Sequence, residues 1–215
     1  MKKIILIGDS IRFGYDKYVK DALEGVAEVY YGNDSARFSE YTLRYLSDWK
    51  HDNGWGNDID LVHWNTGLWD VLEMYGELPI SNPQQYGETI GKIERQIKIL
   101  FPKAKQVFAT STSVIEERYG HDRKRHNHFI EQYNKIAVET LAGTGCVIND
   151  LYTLTKNAPM EIRDGDPTHF YTPAGTKLIG DRVLSVICGE LGIDAGEVKL
   201  ENFVPEQYDE KSIGY

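Results

Sequence analysis

Short, uninterrupted apolar runs alternate along this chain with longer stretches in which apolar residues recur every three or four positions. The first run, Lys3 to Ile7, has no polar alternation, as a strand covered on both faces should. Similar runs at 26–31, 59–64, 106–110 and 146–149 predict four more strands. Helical spacing lies between and after them, at 15–23, 41–49, 86–100, 126–141 and 173–191. In the third of these, Ile90, Ile93, Ile97 and Leu100 form one stripe and Pro102 stops it. In the second, Tyr41, Tyr45 and Trp49 recur at i, i+4 and i+8. Pro79 and Pro83 fall in a long connection, and Pro173 suits the first turn of the last helix.

The order β-α-β-α-β-α-β-α-β-loop-α predicts an α/β fold, a three-layer α/β/α sandwich around a five-stranded parallel sheet. A chain of 215 residues suits one domain with a sizeable core. That core spans about residues 3–191, and a tail without periodicity follows from about 197. In such sheets ligands bind beyond the carboxyl ends of the strands. Ser10 follows the first strand and Asn65 the third, so both belong to the same rim.

Composition narrows the partners. A net charge of -9 argues against a nucleic-acid backbone or an anionic membrane as the main partner. The N-terminal apolar run is too short for a signal-peptide core or a membrane span, so the expected location is cytoplasmic. Cys146 and Cys188 each sit in an apolar run and read as small buried hydrophobes. No Cys/His cluster calls for a metal, and no cofactor is implied. Fourteen Tyr and four Trp are many for this length, which fits packing first and a carbohydrate or acyl pocket second. A small-molecule or carbohydrate ester is the expected partner, and a second copy of the chain is left open.

Two short motifs carry the chemistry. Gly8-Asp9-Ser10 supplies a hydroxyl, and Asp166-Pro167-Thr168-His169 supplies an imidazole with a carboxylate three residues before it. A serine hydroxyl needs an adjacent base to act as a nucleophile at neutral pH. The imidazole needs an acceptor on its second nitrogen to fix its tautomer. Either motif alone also fits a turn or a cap. Together, in this order, they resemble the SGNH/GDSL family of esterases and lipases over roughly residues 3–191. The resemblance implies a flavodoxin-like sandwich, Ser10 as nucleophile, and His169 and Asp166 as its partners.

The middle of the chain departs from that family's pattern. The family's oxyanion hole takes the serine N–H, a glycine after the second strand and an asparagine in Gly-x-Asn-Asp after the third. Gly32 is the glycine candidate here. After the third strand the chain reads His63-Trp64-Asn65-Thr66-Gly67-Leu68-Trp69-Asp70, and alignment on Gly67 and Asp70 puts Trp69 at the asparagine position. Asn65 is the preferred third donor and Trp69 the alternative. Arg12, Asn33, Trp64 and Trp69 are candidate substrate contacts, and for Arg12 an ion pair with Asp9 or Asp16 is the preferred reading. The basic run 123–126 and the acidic pair Glu116-Glu117 flank a loop able to overhang the site, although a charge run is usually a solvated face.

The expected activity is hydrolysis of short-chain, above all acetyl, esters through an acyl-enzyme, with sugar esters among the expected substrates. The alternatives are a weakly active carbohydrate-binding protein on the same scaffold, and a thioesterase or lysophospholipase. Interfacial lipase action is disfavoured because few exposed apolar stretches are evident.

Overall fold

The computed structural model describes residues 1–200. In chain order its elements are β1 (Lys2–Ile7), α1 (Ser10–Phe13), α2 (Asp16–Ala22), β2 (Ala27–Tyr31), α3 (Ser39–Asp52), β3 (Leu61–Trp64), β4 (Glu73–Met74), α4 (Pro83–Leu100), β5 (Lys105–Ala109), β6 (Arg123–Lys124), α5 (Asn127–Leu141), β7 (Val147–Asn149), α6 (Leu151–Lys156) and α7 (Pro173–Leu191). Most of the tail expected from about residue 197 lies outside the described residues.

β1, β2, β3, β5 and β7 form one sheet in the order β2-β1-β3-β5-β7, with every pairing parallel. The absence of alternation in β1 has the expected cause: Ile4, Ile5 and Leu6 are all buried, because helices cover both faces. α2 packs with α7, while α3, α4 and α5 pack in series. In α4, Ile90, Ile93 and Ile97 are fully buried, each contributing roughly 1.5–3 kcal/mol by leaving water. Leu100, at the end of that stripe, is only half-buried.

The aromatic stripe of α3 behaves differently. Tyr41 and Tyr45 lie ring to ring at 4.4 Å as a half-exposed ladder, and Ser39, Thr42, Leu46 and Trp49 make the buried face. Pro83 is not part of a connection but opens α4, with Asn82 capping it by accepting from the Gln84 N–H. Cys146 and Cys188 are half-buried free thiols rather than core residues.

The two long loops pair with each other. β4, in the 72–85 connection, runs antiparallel to β6, in the 116–126 connection. The first of these loops exposes Tyr75 (70%), Leu78 (80%) and Ile80 (50%), an apolar stretch that weakens the argument against lipid-like substrates. Among the described residues no helix is long and apolar enough to cross a membrane.

Candidate active site

β1 delivers the chain to its carboxyl end, where Gly8-Asp9-Ser10 turns it into the short helix α1. Asp9 caps that helix, its Oδ1 accepting from the Ile11 N–H at 3.0 Å. Gly8 is required there, because a Cβ at its position would lie 2.1 Å from Asn65 Oδ1. The nucleophile turn and the end of β3 therefore sit in direct contact.

The acid–base turn comes from just before α7. Asp166 Oδ1 accepts from the Thr168 and His169 N–H groups at 2.6 and 2.8 Å, which closes the turn on itself. Asp166 Oδ2 lies 3.0 Å from His169 Nδ1, and His169 Nε2 lies 2.8 Å from Ser10 Oγ. With the tautomer that Asp166 favours, Nδ1–H donates to the carboxylate and Nε2 accepts from the serine hydroxyl. Burial pushes the Asp166 carboxyl up. The hydrogen bond and charge of His169 and the two backbone N–H groups outweigh it and hold the pKa down, to about 2.

A second layer fixes this turn from behind. Arg163 is buried, donates to the Ser113 carbonyl and hydroxyl at 2.8 Å each, and lies 4.0 Å over the Phe170 ring. The Ile115 N–H donates to the Pro167 carbonyl at 2.9 Å. Tyr171 stacks on His169 with ring centroids 4.6 Å apart and planes at 11°, and its hydroxyl donates to the Ser10 carbonyl. One aromatic side chain thus holds both the base and the nucleophile's backbone.

The remaining rim is built around Asp70. Its carboxylate accepts from the Ser39 N–H and from the Ser39, Ser81 and Thr66 hydroxyls. It caps α3 from outside that helix. Thr66 also donates to the Arg37 carbonyl at 3.2 Å, and the Ala36 N–H donates to the Gly8 carbonyl at 2.9 Å. Arg37 holds a left-handed backbone, φ 45°, next to the nucleophile turn. Its own N–H donates to Ser35 Oγ in a long hydrogen bond, N···O 3.4 Å.

Several expected contacts are relocated. Ser10, His169 and Asp166 come together, and Asn65 lies beneath their turn. Gly32 faces the Asn53 side chain instead, because the β2–α3 loop runs on to Ala36 before it touches Gly8. Arg12 is not a substrate contact: it is buried, pairs with Asp16 at 2.6 Å and donates to the Asp34 carbonyl. Trp64 is not one either. It is 0% exposed and packs on Phe108 at 4.7 Å, since a strand covered on both faces sends its side chains into the helix layers. Trp69 is half-buried and Asn33 exposed.

Sequence reasoning gave Tyr171 and Asp70 no role as site residues, and weighed Arg37 only as a side chain that binds substrate or forms an ion pair. Only Tyr171 left a usable signal, an aromatic two residues after the candidate base.

Asp9 is fully buried, with Oδ2 unpartnered. Burial raises its pKa, opposed by the neighbouring Asn65 amide, the Ile11 N–H and the charges of Arg125 and His169.

No family model and no curated protein matches the chain. Solved structures do. It is similar to a lipase/acylhydrolase from Enterococcus faecalis (TM-score 0.69, 20% identity, covering 92% of this chain and 100% of that one). It is similar to an aryl esterase from M. smegmatis (0.68, 14%, 88% and 99%) and to the acetyl xylan esterase AlAXEase (0.64, 15%, 86% and 99%). The chain therefore has the fold of the SGNH/GDSL hydrolases.

Proposed function

We propose that this chain is a serine carboxylic-ester hydrolase of the SGNH/GDSL type, working through an acyl-enzyme. The observation that carries this reading is the continuous relay from Ser10 Oγ to His169 (2.8 Å) to Asp166 (3.0 Å). Ser10 Oγ attacks the ester carbonyl and its proton passes to His169 Nε2. His169 then protonates the departing alcohol oxygen as the C–O bond breaks, leaving the acyl group on Ser10. Water, deprotonated by His169, cleaves that ester, releases the acid and restores the hydroxyl.

Three donors are assigned to the oxyanion: the Ser10 N–H, the Asn65 side-chain amide and the Arg37 N–H in place of Gly32. The packing of Asn65 against Gly8 supports the second, and the left-handed Arg37 backbone beside the nucleophile turn supports the third. A short acyl group, acetyl first, is the favoured substrate part, by analogy with the acetyl xylan and aryl esterases of the same fold. A sugar alcohol has Trp69 as its candidate stacking face.

Purified protein is expected to hydrolyse p-nitrophenyl acetate and to be labelled by a fluorophosphonate at Ser10. Ser10→Ala should lose both. Saturable carbohydrate binding without labelling would favour the binding-protein alternative, and wild-type turnover in Ser10→Ala would refute the mechanism.

A further inference from the structure

The run Arg123-Lys124-Arg125-His126 splits into two environments. Arg123 and Lys124 form β6 and are exposed, whereas Arg125 turns inward and is half-buried. Its Nε–H donates to the Leu68 carbonyl at 2.6 Å, in the loop that follows β3 and Asn65. Its guanidinium carbon lies 6.0 Å from the centre of the Tyr119 ring. The Tyr119 hydroxyl is 2.6 Å from Thr168 Oγ1, one residue before His169. Arg125 thus bridges the two sides of the rim, the loop after Asn65 and the turn that carries the base. Its charge also reaches the buried Asp9 beneath the nucleophile.

Three other arginines of this region are paired, Arg12 with Asp16 (2.6 Å), Arg37 with Asp34 (3.7 Å) and Arg123 with Asp122 (3.7 Å), and Arg163, with no carboxylate at that distance among the described residues, has its two terminal guanidinium nitrogens taken by Ser113. Among the described residues Arg125 has no carboxylate within ion-pair distance, and only its Nε is engaged with a protein acceptor. A guanidinium whose terminal nitrogens are unspent is a fork for two parallel hydrogen bonds to a carboxylate. The chain as a whole carries a charge of -9, so any preference for an anion must come from local charge of this kind.

We propose that Arg125 determines specificity, selecting esters that carry a carboxylate close to the scissile bond. This deepens the acyl-transfer reading and rests on it.

Two pairs of esters test it, each rate normalised to that ester's own hydroxide-catalysed hydrolysis. 4-Acetoxybenzoate against its methyl ester places the carboxylate on the alcohol side. 4-Nitrophenyl hemifumarate, whose trans double bond prevents intramolecular attack, against its methyl ester places it on the acyl side. In wild type the anionic member of one pair should be preferred in kcat/KM by at least about 10-fold, mostly through KM, and the preference should shrink with added salt. Arg125→Gln should bring that ratio close to one, and Arg125→Lys should keep part of it.

Equal normalised rates in wild type, or a preference that survives Arg125→Gln, would overturn the proposal. Should Arg125→Gln fail to fold, the wild-type ratio, its salt dependence and Arg125→Lys still decide. If wild type hydrolyses none of the four esters, the acyl-transfer reading fails on its own account. Calorimetric binding of 4-acetoxybenzoate to Ser10→Ala, lost in the Ser10→Ala/Arg125→Gln double variant, would then support the carboxylate site separately. Absence of that binding would overturn it.

Discussion

Asp166 and Asp70 are both held in cages of hydrogen-bond donors at the same end of the sheet, yet their environments push them in opposite directions. Asp166 faces an imidazole that can take a proton, accepts two backbone N–H groups and keeps part of its carboxylate in water, and its pKa is held to about 2. Asp70 is completely buried, its partners are an N–H and three hydroxyls, and Glu40 stands nearby. Burial dominates there and raises its pKa to about 6. At Asp70 the hydrogen bonds do not offset burial, whereas at Asp166 the imidazole, two backbone N–H groups and partial exposure together do. The first carboxylate is suited to steadying an imidazolium during a reaction. The second ties three segments together, the start of α3, Thr66 and Ser81.

The sharpest way to break this contrast is to remove charge from the first carboxylate alone. Asp166→Asn keeps the size of the side chain but offers an amide where His169 Nδ1–H needs an acceptor. The imidazole then prefers the wrong tautomer, and kcat for p-nitrophenyl acetate should fall by about 10⁴ with a smaller change in KM. A fall of less than 10-fold in steady-state assays would show that Asp166 does not orient the base.

Removing Asn65, which packs against Gly8, separates charge handling from the proposed oxyanion binding. Asn65→Ala should lower kcat by about 10²–10³, as the loss of one oxyanion donor typically does. Trp69→Ala should cost less than Asn65→Ala. The reverse order in parallel assays would hand the donor role to Trp69.

These assignments were unequally legible in the chain. Ser10 and the Asp166–His169 pair were readable because each lies in a contiguous motif beside a strand end or helix start, and the alternation of elements fixed their common rim. Gly32 is the candidate as the glycine that follows the second strand in the family's pattern; in the structure it faces Asn53, and the loop reaches Gly8 only at Ala36. The backbone that takes a left-handed conformation beside Gly8 belongs to Arg37, which has a side chain. Trp64 misled because its place at the end of a strand says nothing about the face its side chain takes. β4 and β6 are two residues each and exist only by pairing across about fifty residues, so no local pattern announces them. α6, six residues long, is too short to show a period.

The Asp70 side of the contrast should appear in stability rather than rate. The reference pKa of an unfolded Asp is about 3.9, and in the folded chain it is about 6. Between those values the folded state binds more protons than the unfolded one. The stabilisation from this group is therefore complete below about pH 4 and is lost as pH rises through 6. The loss amounts to roughly 3 kcal/mol. Urea unfolding at pH 4 and pH 7 should show that difference reduced by about this amount in Asp70→Asn relative to wild type. Superimposable pH profiles for the two proteins would mean that the folded pKa of Asp70 is close to the unfolded value, so that its cage offsets its burial.

The smallest expected effect concerns Tyr171, which couples the charged corner to the nucleophile's backbone. Tyr171→Phe keeps the ring on His169 and removes only the hydroxyl that donates to the Ser10 carbonyl. A single net hydrogen bond corresponds to roughly 0.5–1.5 kcal/mol, so kcat should fall by about 3- to 10-fold with KM nearly unchanged. Tyr171→Ala removes the stack as well and should cost more, because His169 is then free to leave the plane that points Nε2 at Ser10. A merely structural tyrosine would lower the melting temperature of both variants without that graded loss of kcat. The graded loss in well-folded variants would instead show that the aromatic face steadies the imidazole as Asp166 does, through orientation where the carboxylate adds charge.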